Sequence, residues 1–333
     1  MITRVLIIII TLSLTACEKA FIEKDPANEP VENFQILWET IDKKYSFFEY
    51  KNINWDSIYS EYRPRVHNQM TERQLFSVLS EMLHHLRDGH VNLDAGFDIS
   101  RSWEWYKDYP ANFNYSILRS SYLKNTYEEK GPFVTQVIDS IGYIYFGSFT
   151  KRVEPEIIDN IIEDFSDLKG IVFDVRSNGG GFSTNVEILA SRFADKERLV
   201  AYNLFKKGPG HDEFTDPQPV HLSPKGSEQF LKPVVVLTNR RSYSATNDFA
   251  LKMSALPHVT VVGDTTGGGG GTPIYKELPN GWTYRFSATI TLAPDKFNVE
   301  HGIPPDIQVD MRQRDISRGL DTILETALEL IQQ

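Results

Sequence analysis

Ser244 stands where residues 234–253, VVVLTNRRSYSATNDFALKM, change from one pattern to another. The β-branched run at 234–237 predicts a buried strand, residues 238–241 break it, and Phe249, Ala250 and Met253 recur at helical spacing. A serine at a helix start meets unpaired backbone N–H groups and the positive end of the helix dipole, a setting that suits an oxyanion forming beside an attacking hydroxyl. The same place is the commonest one for a simple N-cap, and this segment alone favours a cap at Ser242 or Ser244. His90 is the second candidate. It lies in LRDGHVNL (86–93), where Gly89 is expected to cap a helix and residues 91–93 to begin an extended segment, so its side chain can enter a cleft. The third feature is KGIVFDVRSNGGG (169–181), a strand followed by a turn that only glycines fold so tightly.

Other constellations carry less. His84 and His85 are adjacent on a predicted helix and point about 100° apart, and neither makes a one-turn ligand pair with His90. The five glycines at 267–271 are followed by Thr272-Pro273 rather than Lys-Ser/Thr, so they read as a flexible lip of the cleft and not as a phosphate loop. No Gly-x-Ser-x-Gly elbow is present. His301, beside Glu300, ranks as a rival base behind His90. Trp103, Trp105, Tyr106 and Tyr109 could either grip an extended substrate or cover the core.

These residues need elements to hold them. Phe34, Leu37, Trp38, Ile41 and Tyr45 mark one helical face, a second helix follows at 55–62, and a third starts from Thr71 as N-cap and runs through Leu86. Residues 94–140 are aromatic and polar with poor periodicity. Beyond them strand and helix alternate: strands at 141–146, 170–175, 234–237 and 259–262, and helices at 154–165, 185–194 and 244–255. That alternation predicts an α/β core with its site at the strand ends.

The 333-residue chain, 41% hydrophobic, can bury a full core. A net charge of -10 without a Lys/Arg run excludes a nucleic-acid surface. At the start, Arg4 precedes an apolar run at 5–14, too short to span a bilayer but fitting a signal-peptide h-region. It leads to Leu14-Thr-Ala-Cys17, which resembles a bacterial lipobox; Cys17, the single Cys, is the expected point of lipidation, and the charged, proline-bearing segment after it the expected tether.

Four segments in order, LRDGHVNL (86–93), KGIVFDVRSNGGG (169–181), the Ser244 stretch, and VVGDTTG (261–267) with EHGIPPDI (300–307), resemble the C-terminal processing (tail-specific) peptidase superfamily in its tricorn-like branch. The resemblance covers about residues 33–310. It implies a ClpP/crotonase-like catalytic core preceded by a small helical N-terminal module, with Ser244 as nucleophile. Many members use a Ser-Lys dyad, but the matching position, near Gly269, has no amine. Tricorn-like members use a His from the helical module, and His90 matches it. There a Ser precedes the His and a Glu supports it; here Gly89 replaces the Ser, Glu300 matches the Glu, and Asp88 is a second candidate. The oxyanion hole falls to backbone N–H groups of the Gly179-Gly180-Gly181 turn, Gly179 and Gly180 foremost, and of Ala245. Residues 94–140 are too short for the PDZ module that many members carry.

The expected organisation is a lipoprotein signal peptide at 1–16, a tether at 17–30, a helical module at 31–93, an aromatic connecting segment at 94–140 and a serine peptidase core at 141–333. The expected activity is acyl-enzyme cleavage of extended or unfolded polypeptide, with no cofactor, metal or nucleic acid, by a lipid-anchored protein of a bacterial cell envelope at its outer membrane. A His base predicts loss of reactivity below neutral pH. The alternative is a ligand- or peptide-binding lipoprotein on the same fold, which the missing hydroxyl at Gly89 favours, as in a retinoid carrier of the superfamily.

Overall fold

The computed structural model describes residues 26–333. The expected signal peptide, Cys17 and most of the tether lie outside the described residues. The helix Pro30–Lys44 opens with proline in its first turn, where the missing N–H costs nothing. Glu72–His84 opens at Thr71 with a capping box: Thr71 Oγ1 accepts the Gln74 N–H and Gln74 Oε1 accepts the Thr71 N–H at 2.9 Å. With Trp55–Tyr62 these helices close a core around Phe34, Leu37, Trp55, Leu79 and Met82.

A seven-stranded sheet runs in spatial order Ile307–Gln308, Val259–Gly263, Val234–Thr238, Ile171–Asp174, Ile141–Phe146, Phe133–Ile138 and Glu128–Lys130. The first five run parallel to one another, and the antiparallel pairings begin between Ile141–Phe146 and Phe133–Ile138 and continue to Glu128–Lys130. Helices Pro155–Asp164, Ser183–Ala190 and Ala245–Ser254 cover one face and Thr322–Gln332 the other. Along Val234–Thr238, Val234 and Val236 enter the first layer, and Val235 and Leu237 the second. A strand covered on both faces reads as a continuous apolar run, which is why the alternation with helices was legible.

The sheet begins before residue 141. Glu128–Lys130 and Phe133–Ile138 come from the segment expected only to connect. The helical module and the core also share a second sheet, where Asn92–Asp94 pairs with Thr283–Ser287, with Leu93 opposite Tyr284. Such pairings join residues almost two hundred positions apart, which local periodicity does not carry. Gly89 is not the helix cap. The helix ends at His84, and the left-handed residue is Arg87, φ 47°.

Candidate active site

Ser244 follows Val234–Thr238 through a turn and sits one residue before the helix Ala245–Ser254. Its backbone is strained, φ 59° and ψ -120°, and is pinned by a hydrogen bond from its N–H to the Gly268 carbonyl at 2.8 Å. The cap reading fails. Ser244 makes no side-chain capping bond, and its Oγ lies 2.8 Å from His90 Nε2. Ser242, the other cap candidate, is buried and donates to the Val175 carbonyl.

His90 is 4% exposed, and burial pushes its imidazole down to about 4; the Asp88 carboxylate opposes this, while Arg285 and Lys51 add to it. Neutral imidazole is the form that accepts a hydroxyl proton. The expected loss of reactivity therefore moves from just below neutral pH to the region of pH 4.

Behind His90 lies a buried cluster of charges. Its backbone N–H donates to Asp88 Oδ1 at 2.7 Å. Asp88 Oδ2 accepts from Tyr45 Oη at 3.0 Å and from Ser287 Oγ at 3.2 Å. Lys51 Nζ lies 2.7 Å from Glu300 Oε1 and 3.8 Å from Asp88 Oδ2. Burial pushes the Glu300 carboxyl up to about 7 against the pull of Lys51. Burial also opposes ionisation of Asp88, but Lys51 and His90 outweigh it and hold its carboxyl below the usual range.

Glu300 was expected to support His90 directly or through water, and the structure gives no direct bond between them. The hydrogen-bond partners of the Glu300 carboxylate are Lys51 and the Gly270 N–H, the latter at 2.9 Å, and His90 is not among them. Lys51 was missed because a lysine at the end of the four-residue helix Phe48–Lys51 carries no local signal of burial.

The glycine turn is shaped by Asn178, also missed, which is fully buried and whose Oδ1 accepts the N–H groups of Phe149 at 3.3 Å and Gly180 at 3.0 Å. That bond corrects the expectation for Gly180, whose N–H is taken. Gly180 is needed for close approach instead: a Cβ there would lie 2.5 Å from the Tyr243 carbonyl. Gly179 is exposed and has no atom near its Cβ position. The N–H groups of Ala245 and Gly181 have no hydrogen-bond partner among the described residues, and both residues line a cavity of about 410 Å³ beside Ser244.

The run at 267–271 borders the cavity through Gly269, Gly270 and Gly271, as a lip would, but it is packed rather than free. Gly268 and Gly269 are buried at positive φ, and a Cβ would lie 1.8 Å from the Glu300 carbonyl at the first and 2.6 Å from the Tyr243 ring at the second. Side chains are excluded there because two backbones and a ring meet. The aromatic cluster mainly covers the Ser244 turn: Trp105 stacks on Tyr243 at 4.1 Å, and Tyr109 and Tyr106 lie under Arg240 and Arg241. His301 packs against Tyr50, and His84 and His85 meet Ser100 and Tyr62. Among the described residues no group of three His, Cys, Asp or Glu could hold a metal ion, and no helix is long and apolar enough to cross a membrane.

The model of Peptidase family S41 matches residues 140–309, half of the chain, and that of the Tricorn protease C1 domain matches residues 26–84. The chain belongs to peptidase family S41. A crystal structure of a candidate peptidase from Parabacteroides merdae is 46% identical, covers 92% of this chain and 97% of that one, and superposes with a TM-score of 0.87. Mature CPAF, at 11% identity, shares the fold with a TM-score of 0.69 over 91% of this chain and 96% of its own. The carboxy-terminal processing protease CtpA of Bacillus subtilis is 25% identical over 175 residues, which are 52% of this chain and 36% of that protein. The chain thus spans well under half the length of that curated relative. This chain's mixed α/β architecture with its N-terminal helical region is thus shared, as a fold, with these solved neighbours.

Proposed function

We propose that this member of the family is a serine-type endopeptidase that cleaves extended or unfolded polypeptide. The observation that carries the reading is the 2.8 Å contact between His90 Nε2 and Ser244 Oγ at the edge of an open cavity. Ser244 Oγ attacks the substrate carbonyl carbon as His90 Nε2 takes its proton. The C–N bond breaks as that proton passes to the leaving amine, which leaves an acyl-serine. Water then attacks the ester, gives a proton to His90, and Ser244 is released with the proton returned. The N–H groups of Ala245 and Gly181, aimed from a helix start and a glycine turn, are the donors for the oxyanion. Glu300, held by Lys51, shapes the pocket behind the imidazole. No step calls for a cofactor.

On this reading residues 1–16 direct export, Cys17 carries the lipid, and residues 17–30 tether the folded part to the cell envelope, at the outer membrane. The helical module at 31–93 delivers the base to the core at 141–333, and residues 94–140 add both covering aromatics and sheet edge.

Labelling of the full chain with a fluorophosphonate probe tests the reading. The expected result is labelling of the wild type that Ser244→Ala and His90→Ala both abolish. A folded wild-type chain that stays unlabelled would sink the peptidase reading in favour of a binding protein, and a search for bound peptide or lipid would follow.

A further inference from the structure

A general base needs its lone pair on the correct nitrogen, and that is set by what holds the other one. His90 Nε2 faces Ser244, so Nδ1 must carry the proton and needs an acceptor. In this chain the acceptor cannot come from the residue before the histidine. A Cβ at Gly89 would lie 2.7 Å from Trp105 Nε1 and 2.9 Å from Tyr243 Oη, so the space for a serine side chain is filled.

A hydroxyl arrives from a different strand. Ser287 is fully buried at the end of Thr283–Ser287, and its Oγ lies 3.4 Å from His90 Nδ1 and 3.2 Å from Asp88 Oδ2. A hydroxyl has one proton to give. Asp88, kept ionised, can only accept, so Ser287 donates to it and turns a lone pair towards Nδ1–H. The chain Asp88, Ser287, His90, Ser244 then runs in one direction and leaves Nε2 free to receive the serine proton. Sheet pairing fixes the hydroxyl, because Thr283–Ser287 is bonded to Asn92–Asp94 just after His90, with Arg285 opposite Asn92.

We propose that Ser287 is a positioning residue that, backed by Asp88, selects the Nδ1-protonated tautomer of His90 and replaces the hydroxyl absent at Gly89. The inference rests on the Ser244–His90 reading above. The groups that face His90 and Asp88 are Lys51, Glu300, Arg285, Tyr45 and Tyr243, and the backbone of Gly271 also hydrogen-bonds the ring.

The test measures the rate of fluorophosphonate labelling of the full chain against pH for the wild type, Ser287→Ala, Ser287→Thr and Asp88→Asn, with Ser244→Ala as control. Ser287→Ala is expected to slow labelling about 10- to 100-fold, the usual effect of removing a partner that orients an imidazole. Ser287→Thr, which keeps the hydroxyl, restores most of the rate. Asp88→Asn slows labelling and moves its acid limb to lower pH, since the charge that favours His90 protonation is gone. A folded Ser287→Ala chain that labels at the wild-type rate at every pH overturns the proposal, with Gly271 as the sufficient partner. Should Ser287→Ala not fold, Asp88→Asn decides: a wild-type rate with an unmoved acid limb overturns it as well. A wild type that does not label overturns the underlying reading and this inference with it, whereas Ser244-dependent labelling that ignores both substitutions overturns the inference alone.

Discussion

Two buried clusters in this chain share one charge inventory, a cation between two carboxylates, and they behave differently. Arg176 is fully buried, sits 2.6 Å from Asp174 Oδ2 and 2.9 Å from Asp321 Oδ2, and also donates to Asp174 through Nε. Its planar fork engages both acids at once and Tyr143 caps Asp174 at 2.8 Å, so the cation is closed in, while Asp321 Oδ2 is held by charge with no hydrogen bond of its own. Lys51 is a point charge. It is 2.7 Å from Glu300 but 3.8 Å from Asp88, which leaves Asp88 oxygens to bond Tyr45, Ser287 and the His90 backbone. The arginine cluster ties the sheet to the loop before its covering helix; the lysine cluster stands behind His90 and keeps acceptors in hand for it. An incomplete ion pair is thus what gives the second cluster a use.

The sharpest way to break this comparison is at Arg176. Arg176→Met leaves Asp174 and Asp321 buried without a cation, and the expected cost is about 3–5 kcal/mol in urea unfolding at pH 7. A loss below about 1 kcal/mol would show the cluster is not closed.

Next in size is a pH effect confined to the second cluster. Unfolded His90 binds a proton near the ordinary 6.5, while the folded group refuses it until about 4, so this group removes stability as pH falls through that window, by about 3 kcal/mol in all. Glu300 has the opposite sign: its folded carboxyl takes a proton near 7 and its unfolded one near 4.5, so it adds stability over much the same fall. The wild-type unfolding free energy should therefore be nearly flat between pH 6.5 and 4.5 as far as this pair decides it. Glu300→Gln should unmask a loss on acidification and His90→Gln a gain, and parallel curves for the three chains would refute the opposition.

Lys51→Met should cost less than Arg176→Met, about 2 kcal/mol at pH 7, because Glu300 already lies near neutrality and can discharge by taking a proton. The deficit should shrink towards pH 5, which denaturant midpoints at the two pH values would reveal; a deficit that grows on acidification contradicts it. Smallest is Tyr243→Phe. It removes a 3.4 Å bond to Asp88 but keeps the stack on Trp105, for an expected loss of about 0.5–1 kcal/mol. A larger loss would make the tyrosine hydroxyl a full member of the cluster.

What could be read from residues alone was whatever local pattern encodes. Ser244 at a helix start, Thr71 as a cap, and parallel strands flanked by helices all follow from runs of under twenty residues, and the helix Pro155–Asp164 falls within two residues of its expected ends. His90 was found through a motif resemblance, and the structure brings it to Ser244 across 154 positions. Lys51 and Ser287 left no mark in the sequence, and Asn178 stood in the segment at 169–181 without a role, since a lysine, a serine and an asparagine are ordinary in such places and become buried partners only when other segments close over them. Gly269 shows the same limit from the other side: five glycines in a row predict freedom, yet the ring of Tyr243 and the backbone of Glu300 pack the space where side chains would be.

By itself the sequence determined the order of strands and helices, the serine at the helix start and the membership of a peptidase family, because periodicity, capping and motif spacing act over short stretches of chain. The partner of His90, the tie between Glu300 and Lys51, and the choice of free N–H groups at the glycine turn were decided by tertiary structure, because hydrogen bonding and desolvation depend on which distant atoms share a dry volume.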